Sequence, residues 1–227
     1  MARCPSLWVF VFLLSIIYPA SARERVYIIS YVAHPRIETF YNDIVKEAYE
    51  RLGLRVQFME VSGERGLMLL NEGLVDASSV RVHRAVKHFE NVIALDPPVG
   101  KAYTNLYCSA RVVCDASILT DSTETVVTTR RMISAIKEAR SDIPVKALML
   151  KVEDFNRVIQ LMVKGRYDYA ILPSDGHPIP VFSKQKITHV TLIADNAVHS
   201  LHKQHSALAD AISASIQQVL KERQTPL

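Results

Sequence analysis

Seven side chains have the types needed to grip a small charged solute: Tyr31, Arg65, Arg81, Thr128, Thr129, Ser174 and Asp175. A guanidinium presents a rigid fork that matches a carboxylate or phosphate through two parallel hydrogen bonds. Arg81 ends a strand pattern and Arg65 opens a helix pattern, so both are candidate anion clamps. Each has a plainer alternative: Arg81 as a surface arginine paired with an acid, and Arg65 in a local pair with Glu64 or Glu72. Tyr31 stands where the first strand ends, able to stack on a ligand or to pack between two parts of the protein. Thr128 and Thr129 precede a helix and offer hydroxyls and backbone N–H groups to an anion. An N-cap for the helix starting at Arg130 explains a threonine there equally well. Ser174 and Asp175 can receive an ammonium group, or simply form the turn ahead of Gly176 and Pro178.

Other chemistries find less support. His199, His202 and His205 recur every three residues, whereas a helical metal pair prefers a spacing of four. Their segment passes from strand to helix, so they read as solvated polar residues and no metal is expected. His34, beside Pro35, reads as a loop histidine with no partner in view. There is no nucleophile elbow, phosphate-binding glycine loop or zinc motif, and with 7 Gly in the chain no cofactor is expected. Cys108 and Cys114 are candidates for a disulfide in an oxidising compartment, or for two separate thiols; spacing alone does not decide.

These residues must be positioned by a recurring strand–helix rhythm. Strand patterns fall at 25–32, 55–61, 74–80, 91–96 and 102–113, with amphipathic helices at 38–53 and 63–73 between the first three. The rhythm then repeats: strands at 124–129, 145–152, 167–173 and 187–194, helices at 130–140 and 153–166, and a closing helix at 206–223. Two small α/β units joined by extended segments are the expected arrangement.

The N-terminus reads as an address. Arg3 gives a charged start, Leu7–Tyr18 is almost unbroken apolar sequence, and Pro19 is followed by Ala20-Ser21-Ala22. That layout predicts a secretory leader over 1–22, cleaved after Ala22, and the run is shorter than the roughly 20 apolar residues of a membrane span. Losing Arg3 with the leader takes the formal net charge from +4 to +3. Basic residues are scattered among acids, which argues against a nucleic-acid partner. A hydrophobic content of 49% is ordinary for a folded chain.

Three stretches carry a resemblance to a known family: "GERGLMLLNEGLVDASSVR" (63–81), "VIQLMVKGRYDYAILP" (158–173) and "LHKQHSALADAISASIQQVLKE" (201–222). In order and spacing the chain resembles the type II periplasmic solute-binding proteins, of the amino-acid-receptor (extracellular solute-binding family 3) type. The five-residue step from Asp76 to Arg81 is shorter than in amino-acid receptors. The resemblance implies an α/β, two-lobed fold, each lobe a mixed sheet flanked by helices, with a ligand cleft between them. Lobe one would be 24–108 plus 200–227 and lobe two 109–199, hinged near 103–114 and 195–204. It implies a monomeric periplasmic protein that captures a small polar or anionic, amino-acid-like solute for the permease of an ABC transporter or for a sensor. Two alternatives stand beside this: a scaffold that recognises another protein, and a dehydratase-like enzyme using Glu153, Asp168 or Asp175 as general acid.

Overall fold

Strand-forming runs and amphipathic helices alternate along the chain, and the computed structural model describes them over residues 25–224. The expected leader over 1–22 lies outside the described residues. The strands are β1 (Val26–Tyr31), β2 (Arg55–Glu60), β3 (Ala77–Val82), β4 (Val92–Ala94), β5 (Gly100–Cys108), β6 (Thr125–Thr129), β7 (Leu148–Val152), β8 (Tyr169–Ser174) and β9 (Thr188–His202). The helices are α1 (Asn42–Arg51), α2 (Gly63–Asn71), α3 (His83–Val86), α4 (Arg130–Ala139), α5 (Phe155–Val163), α6 (Pro180–Lys184) and α7 (Ala209–Gln224).

All nine strands join one open mixed sheet in the order β2-β1-β3-β9-β5-β8-β6-β7, with β4 also on β9. At one end β1 lies parallel between β2 and β3; at the other β6 lies parallel between β7 and β8. The same arrangement is thus built twice. The central strands β5 and β9 pair antiparallel with each other, from Gly100 opposite Ala197 to Cys108 opposite Thr188, with a bulge after Thr104. A single sheet carries both units.

The cores follow the two ends. Ile29, Ile44, Tyr49, Leu201, Ile212 and Val219 pack together at one end. Leu106, Val126, Ile136 and Ile171 form a core at the other, with Val127, Met162, Leu172 and Phe182 in a further cluster. The chain leaves the first core between Ala102 and Leu106 and returns to it between Ile193 and Ala197.

The expected strand over 187–194 is in fact 15 residues long. Its polar second half, DNAVHSLH, has a poor strand pattern but is held by ladders to β3, β4 and β5. Tertiary pairing overrides local propensity there. The expected strand over 102–113 ends at Cys108, where the chain turns and the Cys108–Cys114 disulfide closes a short loop.

Both units share one local device, a helix followed by Gly-x-x-Asp. Gly73 and Gly165 take left-handed conformations, φ +72° and +62°, that a side chain would strain. Three residues on, Asp76 accepts hydrogen bonds from Ile28 N–H at 2.8 Å and from Arg25 at 2.7 Å, and its other contact is His205 Nε2 at 2.6 Å. Asp168 accepts from Arg111 and from the Ser109 hydroxyl. Each aspartate therefore ties the start of a strand to a distant segment.

The histidines correct an expectation. His199 is fully buried, bonded through Nδ1 to the Ser79 carbonyl at 2.9 Å and through Nε2 to the Tyr49 hydroxyl at 3.0 Å. His205 is buried on Asp76. They are core groups rather than solvated ones, because β9 and the turn after it run through the middle of the fold. Among the described residues no group of three or more His, Cys, Asp or Glu is placed to hold a metal ion.

Candidate functional site

Arg81 stands near the end of β3, and its neighbours explain its reach. Its side chain runs under α2, where Gly66 faces it: a Cβ built on Gly66 would collide with Arg81 Nη2 and approach Ser30 Oγ to 3.5 Å. The glycine leaves room for the guanidinium to lie against the helix. Arg81 is 6% exposed; its Nε donates to Ser78 Oγ at 2.6 Å, and its Nη2 has no hydrogen-bond partner. No carboxylate pairs with it among the described residues. Burial, with the like charge of Arg131, lowers its pKa to about 10, so it stays cationic at neutral pH. The surface-pair alternative does not describe this residue. A buried guanidinium without an anion has an unmet electrostatic demand.

Arg131 is an exposed residue at the start of α4, in the other unit. The residue ahead of that helix is Thr129, whose extended backbone (φ −95°, ψ 159°) suits an N-cap, yet its side chain makes no capping bond. Its hydroxyl is buried and unpartnered. Thr128 differs: its hydroxyl donates to the Ile171 carbonyl at 2.8 Å, a structural bond between β6 and β8. Of the two threonines, Thr129 has hydrogen-bonding capacity to spare. The Ser79 hydroxyl on β3 is also buried without a partner.

The remaining candidates are placed elsewhere. The Tyr31 ring packs edge-on against Phe58 at 6.3 Å. Burial, then Glu60 and Glu38, push its pKa up, and an anion would be repelled there. Arg65 is exposed and lines a hollow with Met59, Glu60, Val61, Ser62 and Leu69, a set that does not contain Arg81. Ser174 Oγ accepts from Gly176 N–H at 3.0 Å, the bond of a simple turn.

Asp175 is spoken for. Arg36 Nε donates to its Oδ2 at 2.8 Å, His177 N–H donates to Oδ1 at 3.2 Å, and His177 Nδ1 lies 3.2 Å from Oδ2. The Arg36 guanidinium also lies over the Phe40 ring, 4.1 Å from its centre. Burial raises the Asp175 pKa, but the hydrogen bonds and charge of Arg36 and His177 outweigh it, and the carboxyl titrates below its usual range. This pair joins the loop after β1 to the loop after β8. Beside it His34 is half-buried, edge-on to Phe155 at 6.2 Å, with Nδ1 accepting from Arg36 N–H at 3.2 Å.

Arg36 and Gly66 escape a sequence reading. A lone glycine inside a helical run and a cation directly after the first strand were the available signals, and neither names its partner.

An open mixed sheet whose two ends repeat one α/β arrangement, joined by the central β5 and β9 strands, is the type II periplasmic binding protein fold. Solved structures of that fold superpose over nearly the whole described chain. An ancestral amino-acid-binding protein, AncCDT-1, a precursor of cyclohexadienyl dehydratase, matches at 18% identity with a TM-score of 0.69, covering 87% of this chain and 91% of that one. The arginine-bound form of truncated ArgBP from T. maritima matches at 15% identity and TM-score 0.68, covering 86% and 96%. The GluR0 ligand-binding core from Nostoc punctiforme, in complex with L-glutamate, matches at 13% and 0.66, covering 87% and 93%. No protein-family model matches the chain, and no curated protein matches it either.

Proposed function

We propose that this protein is a periplasmic solute-binding protein that captures a small anionic solute in the cleft between its two units. The observation that carries this is Arg81: a buried, charged guanidinium with an unbonded Nη2 and no carboxylate partner. A small anion would meet that demand, with the Thr129 hydroxyl and Arg131 contributing from the other side. Residues 24–108 with 200–227 and residues 109–199 are then the two lobes, and closure about the two crossings would shift with occupancy. The amino-acid ligands of the structural neighbours support a solute of similar size. Delivery to a transporter permease or to a sensor belongs to the same reading, as does export by the leader. Among the described residues no helix is long and apolar enough to cross a membrane.

Binding is favoured over catalysis by the state of two of the three candidate acids, Asp168 and Asp175. Hydrogen bonds from Ser109 and Arg111 lower the Asp168 pKa, and Asp175 is held ionised by Arg36 and His177. A general acid working near neutral pH needs its pKa raised.

Thermal-shift and calorimetric screening of small carboxylates and phosphates tests the reading. An occupant at a hundred times its dissociation constant adds about 2.7 kcal/mol to stability. For a chain of this size that raises the melting temperature by roughly 5–10 °C. If no small anion stabilises the protein and none co-purifies with it, the reading fails.

A further inference from the structure

We propose that a latch of the protein's own side chains, Arg36 on one unit and Asp175 on the other, holds the two units together in the absence of any solute. The inference goes beyond the anion-binding reading and stands or falls without it.

The two halves of the latch belong to different cores. Arg36 precedes a π-helical turn, Ile37–Tyr41, that runs into α1, and Ile37, Phe40 and Tyr41 pack in the core of the first unit. Asp175 follows β8, and Leu172 and Ile179 on either side of it in sequence pack in the second unit. The Arg36 Nε hydrogen bond to Asp175 Oδ2, 2.8 Å long, spans the junction. Beside it the His34 ring meets the Phe155 ring edge-on at 6.2 Å, Phe155 standing at the start of α5. A third contact, His88 Nε2 to Glu138 Oε1 at 3.3 Å, joins the segment after α3 to α4. Each of the three joins side chain to side chain directly.

Exposure ranks them. The His88 and Glu138 side chains are 60% and 49% exposed, so water competes for both and the pair contributes little. Asp175 is 10% exposed and Arg36 32%, and a charge-assisted bond so placed is far less screened. Surface ion pairs are weak partly because two long side chains must be frozen to form them. Here each partner is fixed within its own unit beforehand. The Arg36 guanidinium lies over the Phe40 ring at 4.1 Å, and the Arg36 backbone N–H donates to His34 Nδ1 at 3.2 Å. Across the junction, His177 N–H donates to Asp175 Oδ1 at 3.2 Å, within the turn closed by Gly176 N–H on Ser174 Oγ. None of these supporting bonds crosses between the units, so they persist when the units part. The ends then meet as preorganised pieces, and little conformational entropy is lost on docking. Such a latch sets the share of closed molecules before a solute arrives. The apparent affinity for a solute that needs the closed form scales with that share.

Small-angle X-ray scattering of the purified protein, freed of co-purified solute by dialysis, reads the latch. Asp175→Asn keeps the size of the side chain and removes its charge; Arg36→Met keeps the stem and removes the guanidinium. Each should raise the open share about tenfold. The change is read as a rise of roughly 1 Å on the radius of gyration of about 16.5 Å expected for a compact chain of this length. The double variant should open no further than either single one, since both remove the same contact. The two substitutions lie in different cores, so if circular dichroism shows one variant unfolded, the other still decides. Folded D175N or R36M with the wild-type radius overturns the latch. So does a wild-type protein already as expanded as its variants, or a double variant that opens by the sum of the two. Adding the small carboxylates and phosphates of the screen to D175N tests the anion reading separately. An anion that closes the variant supports that reading; closure by none of them counts against it and leaves the latch standing.

Discussion

Burying a guanidinium away from any anion is costly, and Arg81 carries that cost with a like charge nearby. Arg81→Met should therefore act in opposite directions on two measurements. The unliganded protein should melt several degrees higher, since each kcal/mol moves a chain of this size by about 2–4 °C. Anion affinity should fall by about a hundredfold or more in calorimetry. A lower melting temperature would show that packing of the arginine stem outweighs the relief of its charge. Gly66→Ala separates the site from the fold differently. The new methyl group would displace Arg81 Nη2, the far end of a flexible side chain, so folding should survive. The melting temperature should stay within about 4 °C, helped by the better helix propensity of Ala. Anion affinity should drop about tenfold, because the guanidinium would no longer rest where the proposed anion meets it.

Two elements decide how rigidly the site is carried. The Gly-x-x-Asp turn after α2 anchors β3 to β1 through Asp76, and the turn after α5 does the equivalent through Asp168. Asp76→Ala strands a backbone N–H and a histidine in the interior, which should cost about 3 kcal/mol in urea unfolding. Asp168 has a side chain that is 36% exposed, so water can replace its partners and the same change should cost less there. On β9, burial lowers the His199 pKa to about 4, against an ordinary 6.5. The unfolded chain then binds a proton that the folded chain refuses. This contribution is complete above pH 6.5 and is lost as the pH falls from there towards 4. Between pH 7 and pH 5 it should remove about 2 kcal/mol of stability. His199→Leu should flatten that part of the pH profile; an unchanged slope would assign it to other groups.

The whole molecule is one sheet serving two cores. The Arg36–Asp175 pair and the β5–β9 ladder both join its halves, so the proposed closure would have to turn about the ladder and make or break the pair. The disulfide sits at the end of β5 away from Arg81's strand and joins residues six apart in sequence. Replacing both cysteines by serine should remove roughly 2 kcal/mol of stability by restoring freedom to the unfolded chain. Anion affinity should stay the same. A parallel loss of affinity would place the loop in the mechanism of closure.

Much of this architecture was legible in the one-dimensional pattern, because hydrophobic period and turn residues act locally. The alternation of β-branched runs with amphipathic helices, the glycines at 73 and 165 and the aspartates three residues later announce two α/β units without any knowledge of what they touch. Arg81 was also visible, as a cation at a strand end. What it would do there was not, since its meaning depends on what is missing around it. An unbonded Nη2 beneath Gly66 is a fact of packing, as is the loss of Asp175 to a residue 139 positions earlier. The histidines show the same limit: a spacing of three looks solvated in sequence, yet β9 threads the centre of the sheet and takes His199 into the core. Local forces settled which elements form. Which buried groups found partners and which, like Arg81, did not was settled by which distant side chains came within a few ångströms of each other, where Coulomb interactions and desolvation act.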